Sequence, residues 1–143
     1  MTDLILDSLQ RRMRAMHSLY YQAVDTMELE HVNHFEREGV LPIAFSLFHY
    51  TNMEDVSFMV ITGEMPVWND EWQQRAQIAV NDHGKHRTVA EMIDQRIGDY
   101  DGFKGYQRAV LDAAECWLYQ HGLRHMGEIE LARGLVGLGG MTS

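Results

Sequence analysis

At 143 residues, 45% hydrophobic and 23% charged, the chain has a globular composition, which excludes a disordered or collagen-like protein, and it is long enough to bury a core without disulfides or a structural metal. Its formal net charge of -9, from 21 acidic against 12 basic residues, argues against nucleic acid or an anionic membrane surface as partner. One cysteine, Cys116, excludes an internal disulfide and is expected in the core; with no basic leader and no apolar run of the roughly 18 residues that span a membrane, a cytoplasmic protein is expected.

The first element is an amphipathic helix from Ile5 to about Met27, because Ile5, Leu9, Met13, Met16, Tyr20, Ala23 and Met27 recur in steps of three and four. Arg11 and Arg14 fall on its outer face and Arg12 at its edge, where they read as solvated charge, and His17 falls near the edge of the core. Glu28 to Gly39 is a polar connection with room for one helical turn. Leu41 to Thr62 is too long for a strand; with Pro42 in the first turn and Gly63 just past the end, it is a second helix, apolar almost all round in its first half and so expected to run through the centre. That places His49 in an apolar neighbourhood, beside Tyr50, which is expected to fill the core.

Breakers at Pro66, Asn81-Asp82 and Gly84 separate two short helices, Trp72 to Val80 and Thr88 to Ile97. Phe103 to Leu135 is again helical despite Gly105, Gly122, Gly127 and Gly134, and a helical glycine often marks close packing. The tail GLGGMTS is expected to fray. No repeat or linker divides the chain, so the expectation is a single all-α domain over residues 1–143.

His121-Gly-Leu-Arg-His125 sets two histidines one helical turn apart, about 6 Å of rise, so both imidazoles can reach one ion. A third ligand has to come from another helix, and His49 is the best-placed candidate; three neutral imidazoles leave coordination positions open, as in catalytic metal sites. The competing reading is that His49 is a hydrogen-bonded core residue and that the HxxxH spacing is coincidental, since no zincin glutamate follows His121. Glu128 shares the stripe of His121 and His125 and can orient a ligand or relay a proton, with a structural salt bridge as the equal alternative. His31, His34, His83 and His86 lie in polar connections and are expected at the surface.

The string His121-Gly-Leu-Arg-His125-Met-Gly-Glu-Ile, followed by Glu-Leu-Ala-Arg-Gly-Leu, resembles the HxxxHxGQI/GEI signature of the DinB/YfiT-like family of metalloenzymes. Upstream, Ile43-Ala-Phe-Ser-Leu-Phe-His49-Tyr-Thr-Asn-Met-Glu-Asp55 is similar to the family's second-helix pattern, in which an apolar run ends in a histidine followed by an acidic pair. The Gly63 to Trp72 stretch is similar to the connection that follows. The resemblance implies an antiparallel four-helix bundle, usually a homodimer, with nickel, zinc or a similar divalent ion at His49, His121 and His125. There is one departure: the family has a full third helix and a long connection before the last, whereas Tyr106 precedes His121 here by only 15 positions. Either the broken 72–97 region serves as the third helix, or Phe103 to Trp117 turns sharply into the final one.

The resemblance further implies transfer of a low-molecular-weight thiol, as cosubstrate, to an electrophile, or metal-assisted isomerisation or hydrolysis of a small-molecule substrate. An ion held by neutral imidazoles keeps its full charge, the condition for lowering the pKa of water to about 7 and for deprotonating a thiol. No Ser-His-Asp, GxGxxG or Walker pattern is legible. The expectation is a metal-dependent thiol transferase or hydrolase; the alternative is a non-catalytic, stress-associated bundle that binds a metal or ligand.

Overall fold

A computed structural model describes residues 2–79 and 87–135, with side chains described at 4–79, 87–117 and 135. The described residues are all-α: α1 (Thr2–Asp25), α2 (Leu29–Val32), α3 (Ile43–Thr62), α4 (Asp70–Ala76), α5 (Val89–Asp94) and α6 (Tyr100–Leu135). The single turn expected in the first connection is α2, and the two short helices are α4 and α5. The tail, the Asn81-Asp82 and Gly84 breakers, His83 and His86 lie outside the described residues. Among the described residues, no helix is long and apolar enough to cross a membrane.

Local chemistry sets the boundaries. The N–H of Glu28 donates to Nδ1 of His31 at 3.1 Å and so ties off the start of α2. Pro42 precedes α3 in an extended conformation, and Gly63 ends it at φ 75°, its N–H donating to the Met59 carbonyl at 2.8 Å. Asn69 caps α4 by accepting from the Trp72 N–H at 3.0 Å. Thr88 and Glu91 form a reciprocal capping box on α5. At the head of α6, the Asp99 carboxylate accepts from the Gly102 N–H at 2.8 Å.

Helix α6, not α3, is the hub, since α1, α3 and α4 all pack on it. The buried stripe of α3 runs through Ala44, Phe45, Leu47, Phe48, Thr51, Asn52, Asp55 and Val56, while Ile43, Ser46, His49, Met53 and Val60 are exposed. The expectation that α3 is surrounded is therefore corrected: hydrophobic residues on its outer edge gave it an apolar sequence without full burial. On α1 the inward stripe is Met13, His17, Tyr20 and Val24, continued by Met27, whereas Ile5, Leu9, Met16 and Ala23 are exposed. The expected stripe shared Met13, Tyr20 and Met27 but took its other members from the wrong edge, because apolar residues flank the true seam and a histidine lies in it.

Cross-helix contacts fix direction and level. Asp25 faces Lys104 and Arg108 while Arg14 faces Glu115, so α1 runs antiparallel to α6. Tyr106 meets the Phe48 ring and accepts from Asn52 Nδ2, and further on Trp117 meets Phe58 edge-on at 5.7 Å, so α3 and α6 run parallel. The core between them centres on Trp68, whose ring lies 4.8 Å from Phe48 and 4.7 Å from Tyr106. Two glycines admit α4. A Cβ on Gly102 would lie 2.0 Å from the Arg75 carbonyl oxygen, and one on Gly105 would lie 3.0 Å from the Trp72 ring, which is the close packing expected of a helical glycine. Past Trp117 the helix continues unbroken to Leu135, so no sharp turn divides it.

Candidate metal centre

Each candidate histidine has a different environment. His49 is exposed on α3, its ring stacked on Phe45 at 5.2 Å between centroids. This corrects the expectation of an apolar enclosure: the residue lies at the edge of the buried stripe, open to a ligand from outside the chain. Tyr50 beside it is half-buried, packs its ring at a tilt against Tyr20 at 4.3 Å between centroids and accepts from the Gln107 amide, and burial pushes its phenol up to about 12. It is a packing residue, as expected.

Positions 121, 125 and 128 all lie on α6, and their side chains lie outside the described residues. Their register is nonetheless set by the backbone. Five helical turns are 18 residues, so position 121 repeats the register of Phe103 and position 125 that of Gln107, both buried. Positions 121, 125 and 128 thus repeat the helical register of the buried Phe103, Gln107 and Val110.

Tyr106 is bracketed by Phe48 and Asn52, which puts His49 level with Tyr106. Position 121 lies 15 residues further along α6. Among the described residues, no three histidine, cysteine or acidic side chains are grouped to hold an ion.

The histidine that the sequence placed only near the core edge has the most elaborate surroundings. His17 is 1% exposed, with Nδ1 at 2.7 Å from Glu115 and Nε2 at 2.7 Å from Glu54. Each ring nitrogen is thus engaged by its own carboxylate. Arg14 reaches the other oxygen of Glu115 at 3.6 Å. Because its nitrogens point to two separate carboxylates on α3 and α6, His17 clasps three helices together. The available signal was its spacing: four residues after Met13, three before Tyr20 and seven before Val24.

Asp55 holds the connection after α3. It is 1% exposed and accepts from the Val67 and Trp68 N–H groups, both at 2.8 Å, and from the Tyr106 hydroxyl at 3.1 Å. Burial, then the Asp55 charge, hold Tyr106 well above the ordinary phenol range, so it stays a donor. Several other polar residues are superficial. His34 faces Glu36 at 3.4 Å with both exposed, Arg11 pairs with Asp7 four residues before it, and Cys116, expected in the core, is exposed. Compared with known proteins, the chain matches no family model and no curated protein sequence.

Proposed function

We propose that this protein is a metal-dependent enzyme of the DinB/YfiT-like type, a four-helix-bundle thiol transferase or hydrolase whose divalent ion, zinc or nickel, is held by His49, His121 and His125. The observation that carries the reading is the contrast between His17 and His49. A structural core histidine in this fold looks like His17, buried with both nitrogens engaged, whereas His49 stands exposed at the edge of a packing seam, where a ligand can reach it. The HxxxH pair on α6, with Glu128 one turn on, supplies two more imidazoles and a carboxylate able to orient one of them. The small-molecule substrate, the cytoplasmic location and the homodimer belong to the same proposal.

The test compares metal-free protein with protein loaded with zinc or nickel. It follows consumption of a low-molecular-weight thiol in the presence of an electrophile, and separately hydrolysis of activated esters and amides. Turnover in the loaded protein alone, lost in His121→Ala, supports the enzyme. Stable metal binding without turnover in any of these assays moves the protein to the alternative, a non-catalytic metal- or ligand-binding bundle.

A further inference from the structure

We infer that the outer groove between α1 and α3, on the side away from α6, docks an amphipathic helix of a different protein, one whose apolar face carries a carboxylate opposite Arg12. Both helices pack on α6 and reach each other through His17 and Glu54, 2.7 Å apart, and through the rings of Tyr20 and Tyr50, 4.3 Å between centroids. These bridges form the floor of the groove. Since α1 runs antiparallel to α6 and α3 parallel to it, α1 and α3 are antiparallel to each other, and the bridges set Leu9 level with Ile61, near the end of α3. From Leu9 to the end of α1 at Asp25 the two run side by side for about 25 Å, the length of a docked helix of nearly five turns.

Both walls of the groove are apolar and open. On α1, Met16 and Leu9 lie four and eleven residues before Tyr20 and so follow its edge of the helix, both exposed, and Leu19 widens the wall at 64% exposure. On α3, Ile61 lies seven residues after Glu54, and Met53 and Val60 stand further out, with Val60 74% exposed. A long apolar face between two antiparallel helices is the surface into which an amphipathic helix lays its own apolar stripe, and a helix in this groove makes the fourth beside α1, α3 and α6.

Charge selects the occupant. The described acidic side chains of both helices are engaged elsewhere: Asp7 pairs with Arg11, Asp25 faces Lys104 and Arg108, Glu54 is bound to His17, and Asp55 is buried in the core. Arg14 faces Glu115, which leaves Arg12, exposed on the helix between Leu9 and Met16, as the arginine of α1 with no carboxylate against it among the described residues. A guanidinium covered by apolar surface is costly unless it is paired. A second copy laid on this face by a two-fold axis brings another Arg12 and no free acid. A helix with one glutamate or aspartate in its apolar stripe pairs the guanidinium and covers both walls.

The test titrates the full chain into two fluorescein-labelled synthetic helices of about five turns, each with leucine along one face. One carries a single glutamate in that face, one turn from its end, and the other carries lysine there; binding is read by fluorescence anisotropy. The glutamate peptide is expected to bind at least tenfold more tightly than the lysine peptide, Arg12→Glu to reverse that order, and Met16→Asp to weaken both at least tenfold. The reversal guards against misfolding, because a chain that has lost its fold does not gain affinity for the lysine peptide. Binding of neither peptide, equal binding of both, or an order unchanged in Arg12→Glu overturns the inference. Sedimentation supplies the remaining arm: a wild-type dimer that Met16→Asp dissociates shows that a second copy covers the groove, and overturns it as well.

Discussion

Replacing Asp55 with alanine should be the most damaging single change among the described residues of the core. The carboxylate is buried at 1% exposure and accepts three hydrogen bonds, two of them from the backbone N–H groups of Val67 and Trp68. Alanine leaves all three donors without an acceptor in a site that water does not reach. Each orphaned buried donor costs about 1–3 kcal/mol, and relief from burying a charge returns part of that, so a net loss of about 3–5 kcal/mol is expected. That is a large share of the roughly 5–15 kcal/mol that stabilises a domain. Asparagine should fall in between, because one oxygen can still accept from one N–H while the amide sets donor against donor at the other. The assay is urea unfolding followed by the fluorescence of Trp68, which is 5% exposed in the folded chain. With a slope near 2 kcal/mol per molar, the alanine variant should lose about 2 M in its midpoint. An alanine variant within about 1 kcal/mol of wild type, or an asparagine variant equal to it, would refute the role given to Asp55.

Gly102→Ala should destabilise by about 2 kcal/mol and lower Tm by roughly 5–10 °C, because overpacking against the Arg75 backbone outweighs the gain in helix propensity; calorimetry showing an unchanged Tm would contradict that contact. His17→Ala removes two hydrogen bonds to charged groups from the junction of α1, α3 and α6 and should cost about 2–4 kcal/mol in chemical unfolding. A loss below about 1 kcal/mol would show that the trio does not hold the helices together. Tyr50 and Tyr100 are both pushed up to about 12, chiefly by burial, from an ordinary 10.0. A raised folded value means their contribution is fully present below pH 10 and is lost as pH climbs from 10 through 12. Tyrosinate absorbance and helical circular dichroism should therefore change together over that interval, and ionisation of these phenols near 10 with the helices intact would contradict their burial.

Most of the helices were legible because their signals are local. Pro42 and Gly63 bracket α3 in the sequence, and the structure uses them as its start and its left-handed end. Direction of burial was less legible. Ile5, Leu9, Met53 and Val60 are apolar at helical spacing yet exposed, so periodicity selected a face without fixing its centre. The polar seam was invisible for the same reason: His17, Asn52, Asp55 and Gln107 are buried through partners 37 or more residues away or in the following connection, and no local pattern announces a pairing of that range. For the candidate metal site, the HxxxH spacing and the isolated His49 are plain in the sequence, but their levels are not. Those depend on whether α6 turns back after Trp117 or continues, and Gly105, a residue of low helix propensity, with Gly102 seats α4 against the helix and does not break it.

The most direct test of the account is the metal content of protein purified without an affinity tag or chelator and then equilibrated with zinc. The account predicts about one ion per chain, lost in His49→Ala and in His121→Ala/His125→Ala while circular dichroism shows the helices retained. Protein that takes up no zinc or nickel, or that keeps its ion in both variants, would contradict the claim that these three histidines share a metal.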